Sequence, residues 1–224
     1  MNDVWWDRKT LHFYSILDKN HDLQGHAGAD LLYRDVAEDG PQAQSALNDL
    51  LANIRSHTFG DVEAESYEPE ILYRYGVPDT AYAQILDLTR ETRKHREYPE
   101  VSYSVIGAIV SGLIGVTVEP FPQAESPEIV VRTYPELTPQ TAWAELRNFP
   151  VRANELAVRQ EGTHKTAPTN LSGPALNWKA MLPGAFESLL VGGKPVKAHT
   201  ESLPLGRTAT WVSVSVGIGE DPDG

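Results

Sequence analysis

The chain has 224 residues, 41% hydrophobic and 22% charged, with a formal net charge of −12 and no cysteine. That length buries a full core, as one large domain or two smaller ones, and the lack of thiols excludes disulfides, thiolate metal sites and a cysteine nucleophile. An acidic surface repels phosphate backbones and no stretch gathers Lys and Arg into a track, which argues against nucleic acid as a partner.

The acids are unevenly placed. Residues 1–100 hold 19 acidic and 10 basic side chains, and residues 101–224 hold 12 and 9. Met1 to Asp7 lacks a basic region followed by an apolar core, so no signal peptide is visible and a cytoplasmic location is favoured. Asn2 to Asp18 is rich in Trp, Phe, Tyr and Leu and reads as an aromatic entry segment or lining loop. Gly25 to Glu38 predicts a helix through Ala29, Leu32, Tyr33 and Val36, stopped by Gly40-Pro41. Ser45 to Ile54 predicts a second, with Leu47, Leu50, Leu51 and Ile54 on one side, and the two form an αα-hairpin. Tyr67 to Tyr75 predicts a short helix or turn ended by Gly76. Asp79 caps a helix running to about Thr92. The basic run Arg93-Lys94-His95-Arg96 reads as its solvated end, where cations suit the dipole.

Val101 to Val118 carries no charge. Its serines and glycines dilute the Ile and Val, so it predicts a buried helix to about Gly115 rather than a membrane span. Gly107, Ser111 and Gly115 fall four apart, a spacing that lets a neighbouring backbone approach one helix face. Beyond Gly115 the pattern changes to alternation. Ile129–Val131, Glu155–Arg159, Leu176–Leu182 and Trp211–Val216 predict strands, with a turn at Glu161-Gly162-Thr163. Leu189–Val191 and Lys194–Val196 flank Gly192-Gly193, a two-residue hairpin turn. The fold class is therefore α+β multidomain: N-terminal αα-hairpins over residues 1–118, without strands before position 90, then an antiparallel β-sandwich over 119–224.

Pro69-Glu70-Ile71-Leu72-Tyr73-Arg74-Tyr75-Gly76, Tyr98-Pro99-Glu100-Val101-Ser102-Tyr103 and Gly112-Leu113-Ile114-Gly115-Val116 together resemble the end of an (α/α)6 toroid. Such toroids occur in six-hairpin glycosidases, including α-L-rhamnosidase-like and related bacterial glycoside hydrolases. Leu190-Val191-Gly192-Gly193-Lys194-Pro195-Val196 is similar to a hairpin common in the β-sandwich caps of those enzymes, with Gly192 in place of Asn. The resemblance implies a partial α/α toroid, a carbohydrate substrate or ligand and no cofactor. Twelve helices with their loops need on the order of 200 residues before the cap. Only about 115 precede Gly115, so an incomplete toroid, a subunit or a truncated product is expected, completed by a partner chain or by a second copy.

Glycoside cleavage uses two carboxyl groups, one protonating the leaving oxygen and one activating water or attacking carbon. The candidates are Glu65, Glu68 and Glu70 in one loop and Glu97 and Glu100 before the last helix. Glu68 and Glu100 are the expected pair, each beside a Tyr and a Pro and both facing an acidic cleft. Tyr67, Tyr98, Tyr73 and Tyr103 are candidate sugar-stacking rings. A plain role as first-turn acids on a helix dipole competes for every one of these glutamates. Trp5 and Trp6 read as a sugar platform or as core. His21-Asp22-Leu23-Gln24-Gly25-His26 reads as a helix entry in which Asp22 and Gln24 also suit sugar hydroxyls; His57, His95 and His164 are scattered and no metal site is expected. The alternative to a hydrolase is a non-catalytic carbohydrate-binding or assembly module.

Overall fold

Helices dominate before Gly115 and strands after it, which makes the chain an α+β protein. The computed structural model describes residues 2–25, 28–56, 62–93, 98–118 and 129–219. It divides into two compact units, Met1–Val105 with Pro204–Gly206, and Ile106–Leu203 with Arg207–Gly224. The division falls inside the apolar stretch, whereas the sequence places it after Val118.

The first unit opens on a one-turn helix, α1 (Asn2–Trp5), and two small antiparallel ladders. β1 (Trp6–Asp7) pairs with β2 (His12–Phe13), and β3 (Ile16–Leu17) with β4 (Leu23–Gln24). These two-residue strands correct the expectation of a strand-free front half. Their cause is local: Asp7 Oδ1 accepts the Lys9 and Thr10 amides at 2.8 and 3.4 Å, and Asp18 Oδ1 accepts those of Asn20 and Asp22 at 2.8 and 2.9 Å. Asp side chains that bond the backbone ahead of them fold the chain into turns.

Five helices follow: α2 (Ala29–Tyr33), α3 (Pro41–Ser56), α4 (Val62–Ser66), α5 (Glu68–Arg74) and α6 (Pro78–Leu88). α2 is much shorter than the Gly25–Glu38 pattern predicts, because Asp35 takes a left-handed φ of 52°. Arg74 then captures the freed end of α2, donating to Leu32 O at 3.2 Å, Tyr33 O at 3.4 Å and Asp35 Oδ1 at 2.7 Å. Such capture satisfies carbonyls that a helix end leaves unpaired. Pro41 opens α3 rather than merely stopping α2, and Pro78 opens α6; proline suits the first turn, where its missing N–H costs nothing. α2 packs on α3 and on α5, and α5 packs on α6. Leu32, Ala43, Ala46, Leu47, Leu50, Ile71, Leu72, Ala81, Ile85 and Leu88 are buried.

α7 (Pro99–Gly107) runs on into a π-helical segment, Ala108–Leu113, closed by Ile114 N–H donating to Ile109 O at 2.9 Å. The small-residue stripe does not act as one helical face. A Cβ on Gly107 would meet nothing within 4 Å, whereas Gly115 sits past the helix end at φ +74°, where a Cβ would lie 1.8 Å from Tyr134 O.

The second unit holds a five-stranded sheet in the order β13-β14-β10-β6-β5 and a three-stranded sheet, β7-β8-β9. The first sheet consists of β5 (Val116–Val118), β6 (Val130–Thr133), β10 (Leu176–Pro183), β13 (His199–Leu203) and β14 (Arg207–Val216). The second consists of β7 (Trp143–Val151), β8 (Asn154–Glu161) and β9 (Lys165–Ser172). Val116, Val131, Leu176, Trp178, Ala180, Val212 and Val216 from one sheet share a buried apolar cluster with Val151, Leu156 and Val158 from the other. β8 alternates buried and partly buried residues along its whole length, as a strand with one face in a core must. The five-stranded sheet is not wholly antiparallel: β6 and β10 pair in parallel, Asn177 opposite Val130 through Ala180 opposite Thr133. A parallel pair needs a long crossover, and the chain between them is the three-stranded sheet. β11 (Ser188–Val191) and β12 (Lys194–Lys197) form a separate hairpin whose turn glycines, Gly192 and Gly193, take φ of 54° and 72°.

These glycines differ in what surrounds them. A Gly193→Ala change adds a Cβ into open space and is expected to cost about 1 kcal/mol, the left-handed penalty alone. Gly115→Ala drives a methyl into the Tyr134 carbonyl and is expected to cost on the order of 3 kcal/mol or more. Urea unfolding midpoints of the two variants check this ranking.

Candidate functional site

Four glutamates fall between Val62 and Arg74, and the helical period sends each to a different place. Glu63, one turn before Tyr67, lies below its hydroxyl, with Tyr67 Oη 3.5 Å from Glu63 Oε1. Glu65 pairs with Arg93, which also reaches Asp87 at 3.5 Å. Glu68 turns inward. Glu70 binds Arg74 at 3.3 Å in an i,i+4 pair. Glu65 and Glu70 therefore have structural partners.

Glu68 is 3% exposed and meets Gln84 of α6, whose Nε2 donates to Glu68 Oε2 at 2.9 Å. Burial pushes the carboxyl from the ordinary value of 4.5 up to about 8, outweighing the opposite pull of the Gln84 hydrogen bond. The acid therefore stays protonated at neutral pH. Glu100 is in the opposite situation, exposed in the first turn of α7. The expected pair thus divides into an enclosed neutral acid and an open residue, and only the open one fronts solvent.

Tyr67 lies at the α4–α5 corner. Its ring centroid is 5.0 Å from that of Tyr33 at the end of α2, with the planes tilted by 41°. Tyr33 is 36% exposed and Tyr67 partly so. Burial raises the Tyr67 hydroxyl above the usual tyrosine range, and the charges of Glu63 and, more weakly, Glu100 add to it. Glu100 is therefore within electrostatic reach of that hydroxyl. Tyr103, three residues on from Glu100 along α7, is 75% exposed, and Tyr98 before the helix is 38% exposed. Two tilted rings with the Glu63 carboxylate beside them offer apolar faces and a hydrogen-bond acceptor in one place.

The remaining candidates fall elsewhere. Trp6 is buried against Phe13, centroids 4.8 Å apart, and Tyr73 is buried in α5, so both are core. Asp22 is exposed in the β3–β4 turn and Gln24 bonds Asp18 Oδ2 at 2.9 Å. Glu97, His26, His57 and His95 lie outside the described residues. Among the described residues no group of three or more His, Asp or Glu stands where it could hold a metal ion. Sequence reasoning missed Tyr33, Glu63 and Gln84. Tyr33 looked like one more apolar position of a longer helix; the early end of α2 is what frees its ring.

The second unit has polar clusters of its own. Glu201 bridges Arg132 at 2.9 Å and Lys179 at 2.6 Å, while Lys179 Nζ lies 4.4 Å over the Trp211 ring and His199 stacks on that ring. Burial pushes the Glu136 carboxyl up to about 7 against the pull of the Arg207 guanidinium 2.8 Å away. Each of these charges already has a partner inside the fold.

No protein-family model, no curated protein sequence and no solved structure matches this chain.

The raised Glu68 acid makes a signed prediction. The folded state keeps the proton that the unfolded chain releases above pH 4.5, so the stability this group contributes is greatest below that pH and is lost as pH rises to about 8. Glu68→Gln removes this contribution. The variant is expected to lose on the order of 1–3 kcal/mol less than wild type between pH 5 and 8, measured by urea unfolding at each pH.

Proposed function

We propose that the chain is a carbohydrate-binding relative of the six-hairpin glycosidases, with ligand bound by the helical unit and a β-sandwich cap behind it in sequence. The Tyr33–Tyr67 ring pair with the Glu63 carboxylate at the Tyr67 hydroxyl is the observation that carries this reading. The C–H faces of a pyranose ring are apolar and rest on tyrosine rings, while its hydroxyls donate to carboxylates. The apolar cluster shared by two sheets supports the sandwich, and the packed helices α2, α3, α5 and α6 support the partial toroid. The sequence resemblance is what connects these parts to sugar chemistry.

Hydrolysis is the second reading, and Glu68 favours it. A carboxyl held neutral at pH 7 is what a general acid requires. Against it stands the enclosure of that same group, which leaves no open side from which to protonate a glycosidic oxygen. Binding is therefore the reading we favour.

A panel of neutral, aminated and acidic oligosaccharides, titrated by calorimetry and supplemented with aryl glycosides, separates the two. Binding without turnover, weakened at least about tenfold by Tyr67→Ala, is the expected result. Turnover that disappears in Glu68→Gln and in Glu100→Gln would transfer the assignment to a glycosidase. The absence of any saccharide binding would end both readings.

A further inference from the structure

We infer that the strand-rich unit carries a sugar contact of its own, a neutral pyranose ring stacked on Trp143 at the outer face of the three-stranded sheet. The ligand class rests on the carbohydrate reading above; the site is separate from the Tyr33–Tyr67 pair. Trp143 opens β7 directly opposite Glu161 of β8 and is 54% exposed. β8 turns Leu156, Val158 and Gln160 into the core, which puts Arg159 and Glu161 on the outer face together with the Trp143 ring. Arg159 Cζ lies 4.5 Å from the ring centroid on one side, so the exposure belongs to the other side and the edge.

What distinguishes this ring is that it is held. The guanidinium against it is fixed by Glu161 at 3.2 Å and by Glu145 at 3.8 Å; Glu145 also takes Arg147 at 2.8 Å, and Glu161 takes Lys165 at 3.6 Å. Hydrogen bonds from Arg147 and Arg159 keep these two carboxyls below the usual range, hence ionised at neutral pH. A cation on one face of an indole steadies its plane, and an aromatic plane presented rigidly loses little freedom on binding. The charged side chains around the ring are paired with one another, so they offer donors and acceptors rather than a charge in need of a counter-ion. Ala157, Ala167 and Thr169 continue the same face with short side chains. This arrangement suits an uncharged ring with axial C–H bonds and equatorial hydroxyls. Its apolar side rests on the indole and its hydroxyls meet the surrounding carboxylates and cations.

Cellotetraose, a neutral β-linked glucose tetramer, tests this on the full chain by tryptophan emission and calorimetry. Saturating sugar is expected to blue-shift the emission, because it covers a half-exposed indole. The shift is expected to be absent in Trp143→Ala and kept in Leu190→Ala, which shortens another exposed apolar side chain of the same unit. Arg159→Gln is expected to weaken the contact about tenfold, and Arg159→Lys, which keeps a cation against the ring, to restore most of it. Should Trp143→Ala fail to fold, the two Arg159 variants read the same contact. No shift with cellotetraose, a shift that survives Trp143→Ala, or tighter binding of the cellouronate counterpart would overturn the inference. So would a blue shift that follows protein concentration instead of sugar, which would make the ring a contact between copies of this chain. Calorimetric binding of saccharide without a Trp143 response would overturn the inference and leave the proposed function standing, whereas neither heat nor shift with any saccharide would overturn both.

Discussion

Ile114 and Gly115 anchor both sheets of the strand-rich unit to the end of one helix. The Ile114 carbonyl accepts the Gln160 side-chain amide at 2.8 Å, and Gln160 belongs to β8 of the three-stranded sheet. One residue later, the Gly115 carbonyl accepts the Tyr134 amide at 2.9 Å, and Tyr134 directly follows β6 of the five-stranded sheet. The backbones approach so closely there that only a residue without a Cβ, in a left-handed conformation, fits at 115. Gln160 is wholly buried, and its Oε1 has no partner among the described residues. Leaving one polar atom unsatisfied costs stability, on the order of 1–3 kcal/mol, and that cost is accepted where the other end of the amide ties a helix to a sheet.

The helical unit solves a different problem, the placing of many acids on little surface. Glu65 and Glu70 are neutralised by Arg93 and Arg74, and Glu68 is neutralised by keeping its proton. Glu63 is left as the acid of the Tyr33–Tyr67 surface, and Glu100 stands exposed in the first turn of α7. Arg74 does two jobs at once, because the guanidinium that holds Glu70 also ends α2 at the residue whose ring completes the aromatic pair. The exposed rings and the buried helix packing therefore share one side chain.

Much of the strand-rich unit is legible in the sequence because its signals are local. Gly192-Gly193 names its own turn, and Trp178-Ala180 and Val212-Val216 alternate over enough residues to show which face is buried. β9 is not legible, since its inward residues are Thr166, Pro168 and Asn170, which look like a loop until their partners are known. The parallel β6–β10 pair is likewise a property of long-range topology. In the helical unit, α2 ends at a left-handed Asp35, and the arginine that captures the freed end lies about forty residues away. Glu68 and Tyr67 were both recognisable as candidates, but adjacent residues on a helix point in different directions, and nothing local says which of the two faces inward.

Several polar groups inside the strand-rich core bond to one another. Asn154 and Asn170 share the Pro174 carbonyl, and Thr133 accepts both the Trp178 indole N–H at 2.9 Å and the Thr166 hydroxyl at 3.3 Å. Directional bonds of this kind fix strand register in a way that apolar contact alone does not. They also give the molecule a built-in optical label. Trp178 lies in a dry, hydrogen-bonded site, Trp143 in a half-exposed one under Arg159, and Trp211 against both an imidazole and an ammonium. The buried indoles are therefore two, Trp178 in this core and Trp6 in the helical unit, and loosening of this core alone should red-shift only the Trp178 share of the emission.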